Sequence, residues 1–241
     1  MSSTAGSEAA LLDQINSVVG RIDSKTTELQ NSINGKLHWL PSGLQDKVVS
    51  GWNSFCGFLE RIWDNLTEIL ANMGSPSALW STADAWSDWI GGPVSGQVQS
   101  ADAGLLTVDT NWDGDAAEAY RQTLPLQKAA LDKVKATLTD GISTALNEVA
   151  KGILKFWAGL ATALAALVIG IIGALASSAT VFGLPAAPFI AAGAGLAAAA
   201  AMITGAELLK SDCASANTVL RQKLNDNAGF HEGHWPPAAR A

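Results

Sequence analysis

The residues that could carry chemistry are few and scattered. His231, Glu232 and His234 stand close enough to suggest metal ligation, but a protein zinc site needs a third ligand at recognisable spacing, and none accompanies them. Asp115 and Glu118 would share one face of a helix. At the start of a helical stretch they suit the positive end of the helix dipole better than an acid/base exchange. No GxSxG, P-loop or HExxH pattern occurs. Cys56 and Cys213 match no metal or redox spacing and read first as small buried hydrophobes, with a disulfide between them left open. These residues predict no catalytic group, no metal and no cofactor, so the function is sought in a surface rather than in a reaction.

Charge narrows what that surface meets. The 241 residues are 48% hydrophobic but only 15% charged, well below the average soluble domain, and the net charge is -7. Phosphate binding along a nucleic acid needs a basic face, and no Lys/Arg cluster is present, so a nucleic-acid partner is not expected. The first ten residues lack both a basic region and an apolar run, so no Sec-type signal peptide is read there. The expected location is outside the cell by another route, or at a membrane.

The elements that must position such a surface are helices. Leu11, Ile15, Val18, Ile22, Leu29 and Ile33 recur at three- and four-residue steps, which predicts an amphipathic helix ending near Leu40, before Pro41. A second helix fits Leu44, Val48, Trp52, Phe55, Leu59, Ile62, Leu66, Ile69 and Met73, and Gly74-Ser75-Pro76 stops it. Leu79, Ala83, Trp86 and Ile90 begin a third, which Gly91-Gly92-Pro93 should kink or interrupt before helix resumes towards Val108. After the polar turn from Asn111 to Asp115, apolar residues from Ala116 to Ile153 keep helical spacing, with a disturbance expected at Pro125. Trp52, Trp63, Trp80, Trp86 and Trp89 are assigned to the bundle interior, with a membrane interface as the second reading.

Between Lys155 and Glu207 the chain carries no charge, and Ser177-Ser178, Gly183, Pro185 and Pro188 divide this run into two arms. Arm one, 156–176, has about the 20 residues a helix needs to cross a bilayer core. Its Leu160, Leu164, Leu167, Ile169, Ile171, Ile172 and Leu175 each favour insertion by roughly 0.3–0.6 kcal/mol. Arm two, 188–206, has few large apolar residues, chiefly Phe189, Ile190, Leu196, Met202 and Ile203, among Ala and Gly. It suits close packing against arm one or a neighbouring chain better than lipid. Both arms could also lie inside a large bundle, but two helices apolar on every side are many for a chain of this length to cover.

Trp112-Asp113-Gly114, set between two predicted helices and followed by Ala116-Ala117-Glu118-Ala119-Tyr120, resembles the WXG100 superfamily of small helical hairpins exported by type VII secretion. The likeness covers roughly residues 76–146. It implies that Trp112 packs at the bend of two antiparallel helices and that Gly114 permits the tight backbone. Family members are often much shorter, so the N-terminal helices and the apolar hairpin are additions. The Tyr-x-x-x-Asp/Glu half of the family's export signal is missing, since the only tyrosine, Tyr120, is followed four residues later by Leu124.

The expectation is therefore an all-α, elongated helical bundle. It comprises amphipathic helices in 1–74, a WXG100-like hairpin in 75–152, a membrane-inserting hairpin in 153–209, and a C-terminal helix and flexible tail in 210–241. The function expected is that of a secreted membrane-active protein, similar in layout to pore-forming toxins, that meets a lipid membrane and forms a homo-oligomer or joins a helical partner chain. The alternative is a type VII substrate or scaffold whose hairpin packs against a partner or anchors it.

Overall fold

The computed structural model describes residues 2–72, 74–101 and 112–237. Met73, residues 102–108 of the helix expected to continue to Val108, and Asn111 of the polar turn lie outside the described residues. Helix accounts for 86% of the structure and no strand occurs among the described residues, so the chain is all-α.

The helices are α1 (Ser2–Leu37), α2 (Ser42–Asn72), α3 (Pro76–Trp86), α4 (Gly92–Ser100), α5 (Asp115–Val134), α6 (Asp140–Ser178) and α7 (Ala187–Asn225). They form two compact units. The first comprises Met1–Ser75 and Gly152–Ser211, the second Pro76–Lys151 and Asp212–Ala241, so α6 and α7 each contribute to both.

The first unit packs two antiparallel helical hairpins side by side. The apolar stripe of α1 (Ile15, Val18, Ile22, Leu29, Ile33) and that of α2 (Val48, Phe55, Leu59, Ile62, Leu66) are buried. Against them lies the hairpin made by the second part of α6 and the first part of α7. Gly51 faces Pro188 and Phe189, and Phe55 and Phe58 face Gly195, so α2 and α7 run in the same direction. Ser32 and Lys36, near the end of α1, hydrogen-bond to Ser178 at the end of α6. Both hairpin loops, 38–41 and 179–186, therefore lie at one end of this unit.

In the second unit α4 packs against α5, and the turn 87–91 packs against residues 135–139. The Trp86 indole donates to the Leu138 carbonyl at 2.8 Å, and a β-carbon on Gly91 would lie 3.6 Å from Thr139. The interruption expected at Gly91-Gly92-Pro93 is a single π-helical turn, Ser87–Gly91, which leads with helical backbone straight into α4 at Gly92-Pro93.

Four expectations are corrected. Pro125 does not end a helix: α5 runs through it, and the departure from α-helical bonding comes instead at a second π-turn, Lys135–Thr139, inside a helical stretch that continues to Ser178. Pro125 is exposed, so the carbonyl deprived of its partner lies towards water, which can satisfy it. The separate helix expected after residue 206 is instead continuous with arm two in α7, because no Gly-Pro breaker separates them. The segment expected as a flexible tail is tied down over its described part. Lys133 pairs with Asp226, and Gly229 sits so close to Lys133 that a β-carbon there would fall 2.6 Å from the Lys133 Cβ. Finally, none of the five tryptophans assigned to the interior is fully buried, and Trp89 is 80% exposed. The buried indole is Trp157, in arm one.

Candidate functional site

By length and composition, two helical stretches, Asp115–Ser178 and Ala187–Asn225, could cross a membrane, and they contain the two arms. The arms meet through small residues. A β-carbon on Gly170 would lie 2.2 Å from the Ala194 methyl, one on Gly173 3.9 Å from Ile190, and one on Gly205 3.3 Å from the Phe156 ring. These three contacts keep antiparallel register along the whole hairpin. Gly170 lets the backbones approach more closely than any larger residue would allow there.

The arms turn different faces to the body. In arm one Leu160, Leu164, Leu167, Val168 and Ile171 are buried, Leu175 is half-buried, and Ile169 and Ile172 are exposed, Ile169 by 70%. In arm two the buried residues are mostly small: Ala187, Pro188, Ala191, Ala192, Gly195, Ala198, Ala199 and Met202. Phe189, Ile190, Leu196 and Ile203 face outward, Leu196 by 54%. Of the twelve hairpin residues singled out by sequence, five are thus buried, one is half-buried and six form an uncharged outer surface.

That surface has no unsatisfied hydroxyl. Thr162 donates to the Ala158 carbonyl and Thr204 to the Ala200 carbonyl, each at 2.9 Å and within its own helix. At the tip Ser177 donates to Gly183 O at 2.8 Å, while Thr180 Oγ1 accepts from Gly183 N–H at 3.1 Å. Gly183 is required here by a close approach, since a β-carbon would fall 2.2 Å from the Ser177 carbonyl oxygen. Leu184 plugs the turn inward and Phe182 projects outward, 97% exposed. Sequence reasoning missed Phe182, although a lone aromatic between the two arms was a readable signal.

Charges begin where the arms end. A groove of about 450 Å³ between α2 and α7 is floored by Ile69, Met202, Ile203 and Ala206, with Glu68 and Glu207 on its rim. On α2, burial pushes the Cys56 thiol up, and the nearby Glu60 carboxylate adds to the effect. Cys56 and Cys213 are both free thiols.

In the second unit Gly114 has φ 104°, a left-handed value that glycine adopts without strain, and its carbonyl accepts the first bond of α5 from Glu118 N–H at 3.1 Å. Gly114 occupies the cap, and Asp115 and Glu118 fill the first turn. Trp112 is not enclosed: it is 42% exposed, its ring 5.7 Å from that of Tyr120, and Arg121 donates to its carbonyl at 3.2 Å. Among the described residues no group of three or more His, Cys, Asp or Glu could hold a metal ion.

No protein-family model, no curated protein and no solved structure matches the chain.

Proposed function

We propose that the chain is a secreted membrane-active protein whose apolar hairpin leaves the body and enters a bilayer, and which oligomerises there as a pore-forming toxin does. The observation that carries this reading is the uncharged outer face of Ile169, Ile172, Phe182, Phe189, Ile190, Leu196 and Ile203. Its hydroxyls are already bonded within the hairpin, so little polar desolvation opposes transfer to lipid. Departure of the hairpin would uncover the apolar stripes of α1 and α2. Their opposite faces are polar, and helices of that kind can line water once several copies assemble. The WxG turn at Trp112 and Gly114 supports export by a type VII route with a partner chain supplying the missing half of the signal.

Dye release from vesicles tests the reading. Ile169→Asp and Leu196→Asp should abolish release while leaving the melting temperature unchanged, because both positions already face water. Leu167 and Ile171 are fully buried, so Asp there would unfold the body and say nothing about insertion.

A second reading is favoured by the same internally bonded hydroxyls. A hairpin with no polar face cannot itself line a channel, and suits an anchor or a scaffold contact with another chain. Binding to vesicles without dye release would select it.

A further inference from the structure

The two loops that share one end of the first unit carry unusual side chains. Trp39, between α1 and α2, is 64% exposed, its ring set edge-on to His38 at 5.6 Å. Phe182, in the other loop, is almost entirely exposed. Two aromatic rings held out in water at one end of a bundle are costly unless something covers them.

Lys36 lies at the same end. Its ammonium donates to the Ser178 carbonyl at 2.6 Å, the Ala179 carbonyl at 3.2 Å and Ser32 Oγ at 3.4 Å, while Ser32 Oγ and Ser178 Oγ share a hydrogen bond of 2.8 Å. All of these acceptors are neutral oxygens. The sequence has no Asp or Glu between Glu28 and Asp46 and none from 156 to 206. In a chain of net charge -7, this end is locally cationic, and its cation is held by two carbonyls at the end of α6 and by Ser32 Oγ, none of them charged.

We propose that this end is a docking surface for an anionic phospholipid interface, with Trp39 and Phe182 as its anchors and Lys36 exchanging the α6 carbonyls for a lipid phosphate. The inference rests on the membrane reading of the hairpin and adds the place and chemistry of first contact. A phosphate oxygen carries a negative charge that a carbonyl lacks, so Coulomb attraction adds to the hydrogen bond and draws Lys36 towards it. Trp favours the headgroup region, where its ring is buried and its N–H stays wet, and Phe182 extends the contact into the acyl boundary. The exchange opens the clasp that ties the hairpin tip to α1, so docking and release of the tip are one event.

Flotation of the full chain with vesicles of phosphatidylcholine alone, or mixed with phosphatidylglycerol, tests this. The native protein should prefer the anionic vesicles, and added salt should erode the preference. The Trp39→Ala/Phe182→Ala double variant, altered only at exposed positions, should keep its melting temperature and lose binding by about tenfold or more. Lys36→Met should lose the anionic preference while binding phosphatidylcholine at least as well as the native chain, because its clasp is already open. Native-like flotation of the double variant, undiminished anionic preference in Lys36→Met, or no binding of the native chain to either vesicle would each overturn the proposal. Dye release that is unaffected in the double variant would overturn docking and leave insertion standing. Binding through these residues without dye release would do the reverse.

Discussion

Arm one and arm two belong to one hairpin yet use their large residues in opposite ways. Arm one, rich in Leu and Ile, turns Leu160, Leu164, Leu167 and Ile171 into the body and leaves Ile169 and Ile172 as its exposed large residues. Arm two turns Ala and Gly inward and holds Phe189, Ile190, Leu196 and Ile203 out. Composition alone makes arm one the inserter and arm two the packing arm. Packing separates the roles differently: arm one provides most of the hairpin's grip on the body, and arm two most of the apolar surface that water sees. A helix apolar on every side can always bury one face, and the neighbours decide which.

The comparison breaks most readily at paired positions. Leu164→Ala in arm one should destabilise the protein by about 2–5 kcal/mol, since it opens a cavity in a fully buried site. Leu196→Ala in arm two should stay within about 0.5 kcal/mol. Urea unfolding followed by circular dichroism measures both, and equal losses would erase the distinction between the arms.

A smaller effect is expected where the arms touch. Gly170→Ala would drive a methyl into Ala194 and should cost about 1–3 kcal/mol as the helices part. Gly193→Ala meets nothing within 4 Å and should stabilise α7 by up to about 1 kcal/mol through helix propensity alone. Thermal melts of the two variants should therefore shift in opposite directions.

The smallest effect lies outside both arms and serves as their control. The Lys133 ammonium bonded to Asp226 holds that carboxyl below the usual range, and the Ala228 N–H adds to this. A folded-state pKa below the unfolded one contributes stability that is complete above the ordinary carboxylate pKa of about 4 and is lost as pH falls through the depressed folded value. Asp226→Asn should therefore lower the melting temperature slightly at neutral pH, and the gap should close in acid. Release of dye should not change.

Much of this was legible in the sequence because contrast was present. The stripes of α1 and α2 stand out against polar neighbours, and apart from the half-buried Leu44 and Trp52 the residues they predict from Ile15 to Leu66 are buried. The hairpin break was marked by Gly183, Pro185 and Pro188. The rotation of each arm was not legible, because between Lys155 and Glu207 no charged residue marks an outer face and periodicity needs such a reference. Pro125 misled because an exposed proline can be tolerated within a helix, whereas the real π-turn at 135–139 has no breaker residue to announce it. The Lys36 clasp joins residues 142 apart in the chain, and no local pattern points to such a pair.

The most direct test of insertion follows the tip. Arm one, at about 1.5 Å per residue, is long enough to carry residue 182 across a hydrocarbon core of about 30 Å. A fluorophore on Phe182→Cys, in a chain with Cys56→Ser and Cys213→Ser, can be followed on vesicles with a water-soluble quencher placed either outside or trapped within. Insertion predicts that the tip becomes shielded from the outer quencher and reachable by the inner one. A tip that stays quenched from outside and never from within would show that the hairpin does not cross the bilayer.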